Sequence, residues 1–290
     1  MNKPPTDGIR IGADSLRAFI VDLFTKVSVP RNDAVIVADL LVDTELRGVV
    51  SHGVEKVIWY VTACRDGVYN PEPTIEVLRE TPAIATLNGD GGLGMLVGKR
   101  AMEIAIDKAR KLGVGVATST NSGHLGSVGK YARMAMRADM IGISFGGRCA
   151  SMEYSPESTI TGSIQGSPPM AFAIPSGPGQ PYFLLDMATH MPYHESAFRE
   201  MQEVLIKRIG ISHVANILSG VLGGQMVPPL DRQNRKYLTA DQSGFYMALD
   251  INQFVPLDAF KQDMNDLMER VRRMKPFPGN TETWLPGGPN

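Results

Sequence analysis

Cysteine is nearly absent: Cys64 and Cys149 are the two in 290 residues. They cannot build a disulfide framework, and neither stands in a Cys-x-x-Cys pair or a Cys/His zinc spacing. That usage fits a reducing compartment, so a cytoplasmic protein is expected. An excess of one charge is lacking too. The 29 basic and 30 acidic residues leave a net charge of −1, with no block of Lys and Arg. A surface that tracks nucleic-acid phosphates needs such a block, so no nucleic-acid partner is expected. No run reaches the ~18 consecutive apolar residues of a membrane span. The opening residues MNKPPTDGIRIGADS lack the continuous apolar stretch of a secretory leader. Neither export nor a membrane partner is expected.

Two catalytic signatures are also missing. His190 and His194 have the i,i+4 spacing of a zinc pair, but Pro192 between them interrupts a regular helix. There is no His-Glu-x-x-His, and no metal site is expected. Gly-x-Ser-x-Gly does not occur, which removes the nucleophile elbow of the α/β-hydrolases.

What is present is the composition of an ordinary folded domain, 43% hydrophobic and 20% charged. From Ala13 on, Leu16, Phe19, Ile20, Leu23 and Phe24 recur at 3/4 spacing and predict a helix with one apolar face. Helices are predicted next over 34–46 and 53–65, the latter capped by Ser51 and ended by Gly67. Short β-like runs at 75–78 and 83–87 lead to a Gly-rich turn and a long helix over 95–111, with Gly113 as its C-cap. Strand 115–118, helix 128–137 and strand 141–145 follow. Residues 146–169, rich in Gly, Ser and Pro, predict a long functional loop. Strands at 170–174 and 182–186, helical patterns over 195–222 split near Gly210, a strand at 244–250 and a charged helix at 257–273 complete the chain. Strands and helices alternate without an internal repeat, which is an α/β or α+β pattern.

The turn after the second run, Gly89-x-Gly91-x-x-Gly94, matches the dinucleotide fingerprint literally, between a strand and a helix. That fingerprint also requires an acidic residue at the end of the next strand to hold the ribose. Here that strand ends in Ser119-Thr120-Asn121, and Asp90 places a negative charge inside the phosphate turn. The turn is read as structural.

Two histidines stand in the settings that chemistry favours. His52 lies in Arg47-Gly48-Val49-Val50-Ser51-His52-Gly53, and His124 in Asn121-Ser122-Gly123-His124-Leu125-Gly126. Flanking glycines let a substrate approach closely. A neutral imidazole suits proton transfer to or from a hydroxyl or carbonyl oxygen. The alternative for each is a turn histidine bonded to backbone. Lys56, four residues after His52, would share a helical face with it and suit a carboxylate; the alternative is a solvated lysine.

Taken in order, residues 47–53, the 90–94 turn with its helix to 111, 121–126 with Tyr131-Ala132, 141–144, 170–175, Asp186-Met187-Ala188-Thr189 and 220–224 resemble one group of enzymes. This is the malate/L-lactate/ureidoglycolate dehydrogenase family, which uses nicotinamide cofactors without a Rossmann domain and includes an imine-reducing branch. The resemblance implies an α/β fold with a mixed, largely antiparallel central sheet flanked by helices. It implies a helical region built from both termini, 1–75 with 255–290, beside a central unit of 76–254. It implies a homodimer or higher homo-oligomer with the active site near the subunit interface. It implies hydride exchange between NAD(P)H and a small 2-oxo acid or cyclic imino acid. Under it, His124 exchanges the proton, His52 polarises the substrate and Ser51 supports it. Lys56, as carboxylate clamp, joins Arg47 and Asn121 in holding substrate, and Ser144, Asp186, Met187, Ala188 and Lys207 line the cofactor site.

The chain departs from that pattern in several places. Position 56 is Lys where the family has Arg, which keeps the charge and loses the bidentate fork. Gly146-Gly147 stand where a Thr/Ser-Asn pair is usual near the nicotinamide. After Thr189 the chain passes almost directly to residues 199–224, without the family's long Gly-Lys and Gly-Gly-His-Lys-Gly segment; Lys207 takes the last Lys position. Ser243-Gly244-Phe245 lacks the family's His. Three readings therefore stand: a nicotinamide-dependent reductase with a trimmed lid; a cofactor-free lyase, isomerase or hydrolase using the two histidines; and a non-catalytic oligomeric subunit.

Overall fold

The computed structural model describes residues 8–148, 168–189, 200–224, 236–283 and 285–286. Its centre is one seven-stranded sheet. The strands are β1 (Glu76–Glu80), β2 (Ile84–Asn88), β3 (Val114–Ser122), β4 (Met140–Arg148), β5 (Pro169–Ile174), β6 (Phe183–Ala188) and β7 (Gln242–Asp250). Their spatial order is β1-β2-β3-β7-β4-β5-β6. Only β2 and β3 run parallel; every other neighbouring pair is antiparallel. This is the mixed, largely antiparallel sheet that the resemblance implies, and its order is not that of a doubly wound nucleotide fold.

Helices α4 (Gly94–Leu112) and α5 (Gly129–Met136) cover one face, where Ala101, Ala105, Tyr131 and Ala132 pack on Ala117, Ala171 and Tyr246. Both helices press close because the strands beneath carry glycine. A Cβ at Gly115 would overlap the Ala105 carbonyl, and one at Gly142 would overlap the Ala132 carbonyl. On the other face, α6 (Gln202–Asn216) packs Ala215 against Phe145, Met170 and Phe245. A turn of π-helix, Ile217–Val221, extends α6. The whole segment, Gln202–Val221, is long and apolar enough by composition to cross a membrane. However, one side of it packs on the sheet, and Glu203, Lys207 and Arg208 lie within it. The predicted split at Gly210 does not occur. A single glycine costs a helix only about 1 kcal/mol, and packing on the sheet outweighs that.

The N-terminal helices α1 (Ala13–Thr25), α2 (Arg31–Leu46) and α3 (Val57–Arg65) form a second core around Ile20, Phe24, Leu41 and Tyr60, which also takes in Leu93, Met95 and Leu96 of the sheet unit. Phe19, placed on the apolar face by its spacing, is 59% exposed; Val21 turns inward in its stead. The predicted helix over 53–65 begins later, at Val57. Two short 3₁₀ turns, Val50–His52 and Val54–Lys56, precede it, broken at Gly53 with ψ −132°. His52 and Lys56 therefore do not share an α-helical face, and Ser51 makes no cap bond. The side chains of the C-terminal helix α7 (Leu257–Arg272) bond to the sheet unit: Lys261 to Asp139, Asn265 to Gly177 and Arg272 to Gln180.

The Gly-rich turn behaves as a structural element. Its glycines leave room for Tyr237, Pro73 and the His124 backbone, and Asp90 accepts hydrogen bonds from Asn70 Nδ2 and Thr74 N–H. Gly113 caps α4 in the left-handed conformation, as expected. His190, His194 and Cys149 lie outside the described residues, as does most of the predicted 146–169 loop. Among the described residues no group of three or more His, Cys, Asp or Glu is placed to hold a metal.

Candidate active site

The two histidines, 72 positions apart in sequence, come together. Their rings stack with centroids 5.8 Å apart and planes at 27°. His52 enters on the 3₁₀ turn before α3, where its Nδ1 lies 2.9 Å from Ser51 Oγ. His124 enters on the loop between β3 and α5. Tyr60, fully buried in α3, lies with its hydroxyl 2.6 Å from His124 Nδ1, and the Gly126 N–H donates to the same nitrogen at 3.3 Å. The Tyr69 hydroxyl accepts from the His124 backbone N–H at 3.2 Å, and Trp59 meets the ring edge-on at 5.5 Å.

This pattern sets the tautomer. The Gly126 N–H can only donate, so Nδ1 of the neutral ring is the acceptor and Nε2 carries the proton. Burial drives the Tyr60 hydroxyl far above its usual range, so it keeps its proton and donates it. His124 itself is pushed down to about 3, first by burial and then by the charges of His52, Lys130, Lys56 and Arg148. Burial, followed by Lys130, likewise holds His52 below its usual value, with Asp186 opposing. Both shifts favour the neutral rings at pH 7.

The other sequence-derived candidates separate into those near the histidines and those elsewhere. The charge of Lys56 bears on both rings. Asp186, at the exposed edge strand β6, accepts from Ser127 Oγ at 2.6 Å and from Gly129 N–H at 3.2 Å, so it caps the start of α5 and faces the histidine side. Arg47 is drawn to Tyr182, bonding its hydroxyl and lying over its ring. Asn121 sits in a left-handed conformation, and its Nδ2 donates to Asn88 at the end of β2, so it braces the entry to the Gly-rich turn. Ser144 is fully buried and its Oγ donates to the Val128 carbonyl; any effect on a cofactor runs through the start of α5. Asp186 and Ala188 share one side of β6, whereas Met187 packs into the α6 core. Lys207 is exposed and ion-paired to Glu203 at 2.6 Å. Its neighbour Arg208 is the cation that reaches β6, donating to the carbonyls of Thr189 and Ala188.

The sequence reading missed Tyr60, Lys130 and Arg208. The signal for Lys130 was available: it lies directly before the Tyr131-Ala132 pair, a charged residue in a helix whose first turn is otherwise apolar.

The sequence profile of the malate/L-lactate dehydrogenases matches residues 11–195. Malate dehydrogenase of Pyrococcus abyssi is 34% identical, over 96% of this chain and 86% of its own length. L-sulfolactate dehydrogenase of Methanocaldococcus jannaschii is 30% identical, over 93% and 86%. The solved structure of malate dehydrogenase from Pyrococcus horikoshii OT3 superposes with a TM-score of 0.81 at 34% identity, covering 99% of this chain and 89% of that one. Fold and sequence thus agree: the chain belongs to the malate/L-lactate dehydrogenase family and is, with that family, an oxidoreductase that transfers hydride with a nicotinamide cofactor.

Proposed function

We propose that this chain is a cytoplasmic, homo-oligomeric dehydrogenase that exchanges hydride between NAD(P)H and a small 2-oxo acid, with His124 handling the proton. The observation that carries this reading is the Tyr60–His124–His52 cluster beside two lysines. The names of the relatives favour it over a cofactor-free enzyme or a non-catalytic subunit. A bound nicotinamide supplies or accepts the hydride at the carbon that becomes C2 of the hydroxy acid. The chemistry of the donor set fits such a group at its reacting end: an oxygen-side proton carrier, His124, lies beside cations that suit an anionic substrate. Asp186 and Ala188, on one side of β6, and Arg208 at its end are the residues that would hold the nucleotide; Lys207 points away.

The protein's own residues then act as follows. Lys56 holds the substrate carboxylate, and His52, braced by Ser51, polarises the carbonyl. Burial, and then the charges of His52, Lys130 and Lys56, disfavour a proton on His124. An anionic substrate offsets those charges, so His124 takes up the proton that it gives to the carbonyl oxygen during reduction. Protonation of Nδ1 breaks the bond from the Gly126 N–H, and the Tyr60 hydroxyl turns to accept from the new N–H. Oxidation runs the same transfer backwards.

The oligomer reading rests on α6. Its inner side is buried, yet Val214, Ile217, Val221 and Leu222 on the other side are exposed. A helix apolar on both sides is normally covered on both, and a second copy of this chain is the proposed cover. The functional reading is tested by titrating NADH and NADPH while following Tm, then assaying 2-oxo acids. A Tm rise with either nucleotide and oxidation of that nucleotide by a 2-oxo acid are expected, since a ligand that binds only the native state stabilises it. No Tm rise with either, and no turnover, would overturn it.

A further inference from the structure

Lys130, in the first turn of α5, is 2% exposed, and its Nζ is buried without a hydrogen-bond partner. An unpaired buried ammonium is costly for a fold to keep. Its position is informative. A Cβ added at Gly126 would lie 2.8 Å from Nζ and 3.8 Å from the Tyr60 hydroxyl, so the ammonium borders the pocket in which Tyr60 engages His124. Its charge bears on both histidines, and on His52 more than any other charge does. Asp186 and Asp43 offset it only in part, because Arg133 adds to it. Burial, followed by Arg133, brings the ammonium down to about 8, which leaves it mainly charged at pH 7.

Lys56 is a second cation on the same pair of rings, and among the described residues no carboxylate is paired with it. A substrate with one carboxylate neutralises one of these two charges and leaves the other buried. We propose that Lys130 is a specificity-determining residue that receives a second anionic group on the 2-oxo acid, while Lys56 holds the carboxylate beside the reacting carbonyl. The inference rests on the site reading above. The four-carbon stem of Lys lets Nζ turn from its closed position onto the incoming anion.

Lys130→Met keeps the stem and removes the charge; Lys130→Arg keeps the charge. Two measurements are made on wild type and both variants: the Tm rise with L-malate against that with L-lactate at equal concentration, and kcat/KM with oxaloacetate against pyruvate. In wild type, L-malate is expected to stabilise more than L-lactate. In Lys130→Met that advantage disappears, and the oxaloacetate-to-pyruvate ratio falls by about 30-fold or more, mainly through KM. Lys130→Arg retains part of the preference. The Lys130→Met protein, relieved of a buried charge, is expected to show a ligand-free Tm at or above wild type, which excludes misfolding as the cause. An unchanged ratio in Lys130→Met, or no L-malate advantage in wild type, overturns the proposal. If wild type turns over no 2-oxo acid and binds neither NADH nor NADPH, the functional reading fails, while the L-malate and L-lactate shifts still decide the role of Lys130.

Discussion

A histidine sealed from water and facing two lysines resists protonation, and His124 is such a residue. Its pKa is about 3 in the fold against 6.5 for an ordinary histidine. Between those values the unfolded chain holds the extra proton, so this residue makes stability rise with pH and removes that stability as pH falls from 6.5 towards 3. His124→Asn is expected to flatten the pH dependence of the denaturant midpoint across that window by up to one proton; an unchanged slope would show that the ring is not held neutral. Tyr60→Phe tests the partner. It should lower kcat roughly tenfold, the worth of one hydrogen bond, with little change in KM, and shift the pH profile that reports His124. Equal losses in kcat and KM would point to a packing role. The two histidines were legible because glycines and small hydroxyl residues mark them in one dimension. Tyr60 was not: it lies in a helix pattern where a tyrosine reads as core, and its partner is 64 residues away.

Among the elements, the tightest joints are where helices meet strands. Gly142→Ala would drive a methyl into the Ala132 carbonyl and separate α5 from β4, so a loss of about 2 kcal/mol or more is expected in chemical denaturation. A second joint ties α5 to α2. Arg133, 3% exposed at its side chain, donates to Asp43 Oδ2 at 2.5 Å. Burial pushes Asp43 up, yet the Arg133 and Arg137 charges and the hydrogen bond from Arg133 bring it below the usual range overall. Asp43→Ala strands that arginine, and about 3 kcal/mol of destabilisation is expected; a change under ~0.5 kcal/mol would mean that the pair is solvent-screened. Periodicity located α4 and every strand core, because those segments are long or bounded by glycine. It misjudged residues 51–56, where Gly53 breaks the turn, and Gly210, where tertiary packing overrides a weak helix former.

At the scale of the whole molecule, the exposed apolar side of α6 makes association measurable. If a second copy covers this side, Val214→Glu with Ile217→Glu should yield a monomer in light scattering, with secondary structure retained; a wild-type protein that is already monomeric would refute a homomeric cover. The alignment with the P. abyssi enzyme spans 322 positions while taking in 96% of these 290 residues, so part of that enzyme has no counterpart inside the matched span. The family pattern read in the sequence would put this difference between Thr189 and the 199–224 segment, because the motifs on either side keep their order. It did not show that α6 would be left with a bare apolar side, since which side meets the sheet depends on contacts with β4 and β5. β7, the last strand in the chain, lies in the middle, between β3 and β4. Ser122 and Gln242, paired across β3 and β7, are 120 residues apart. On the ribosome, β1 to β6 emerge with no central partner to close on. Until residues 242–250 are made, β3 and β4 each present an open edge, and this is the interval in which the nascent chain would most depend on chaperones.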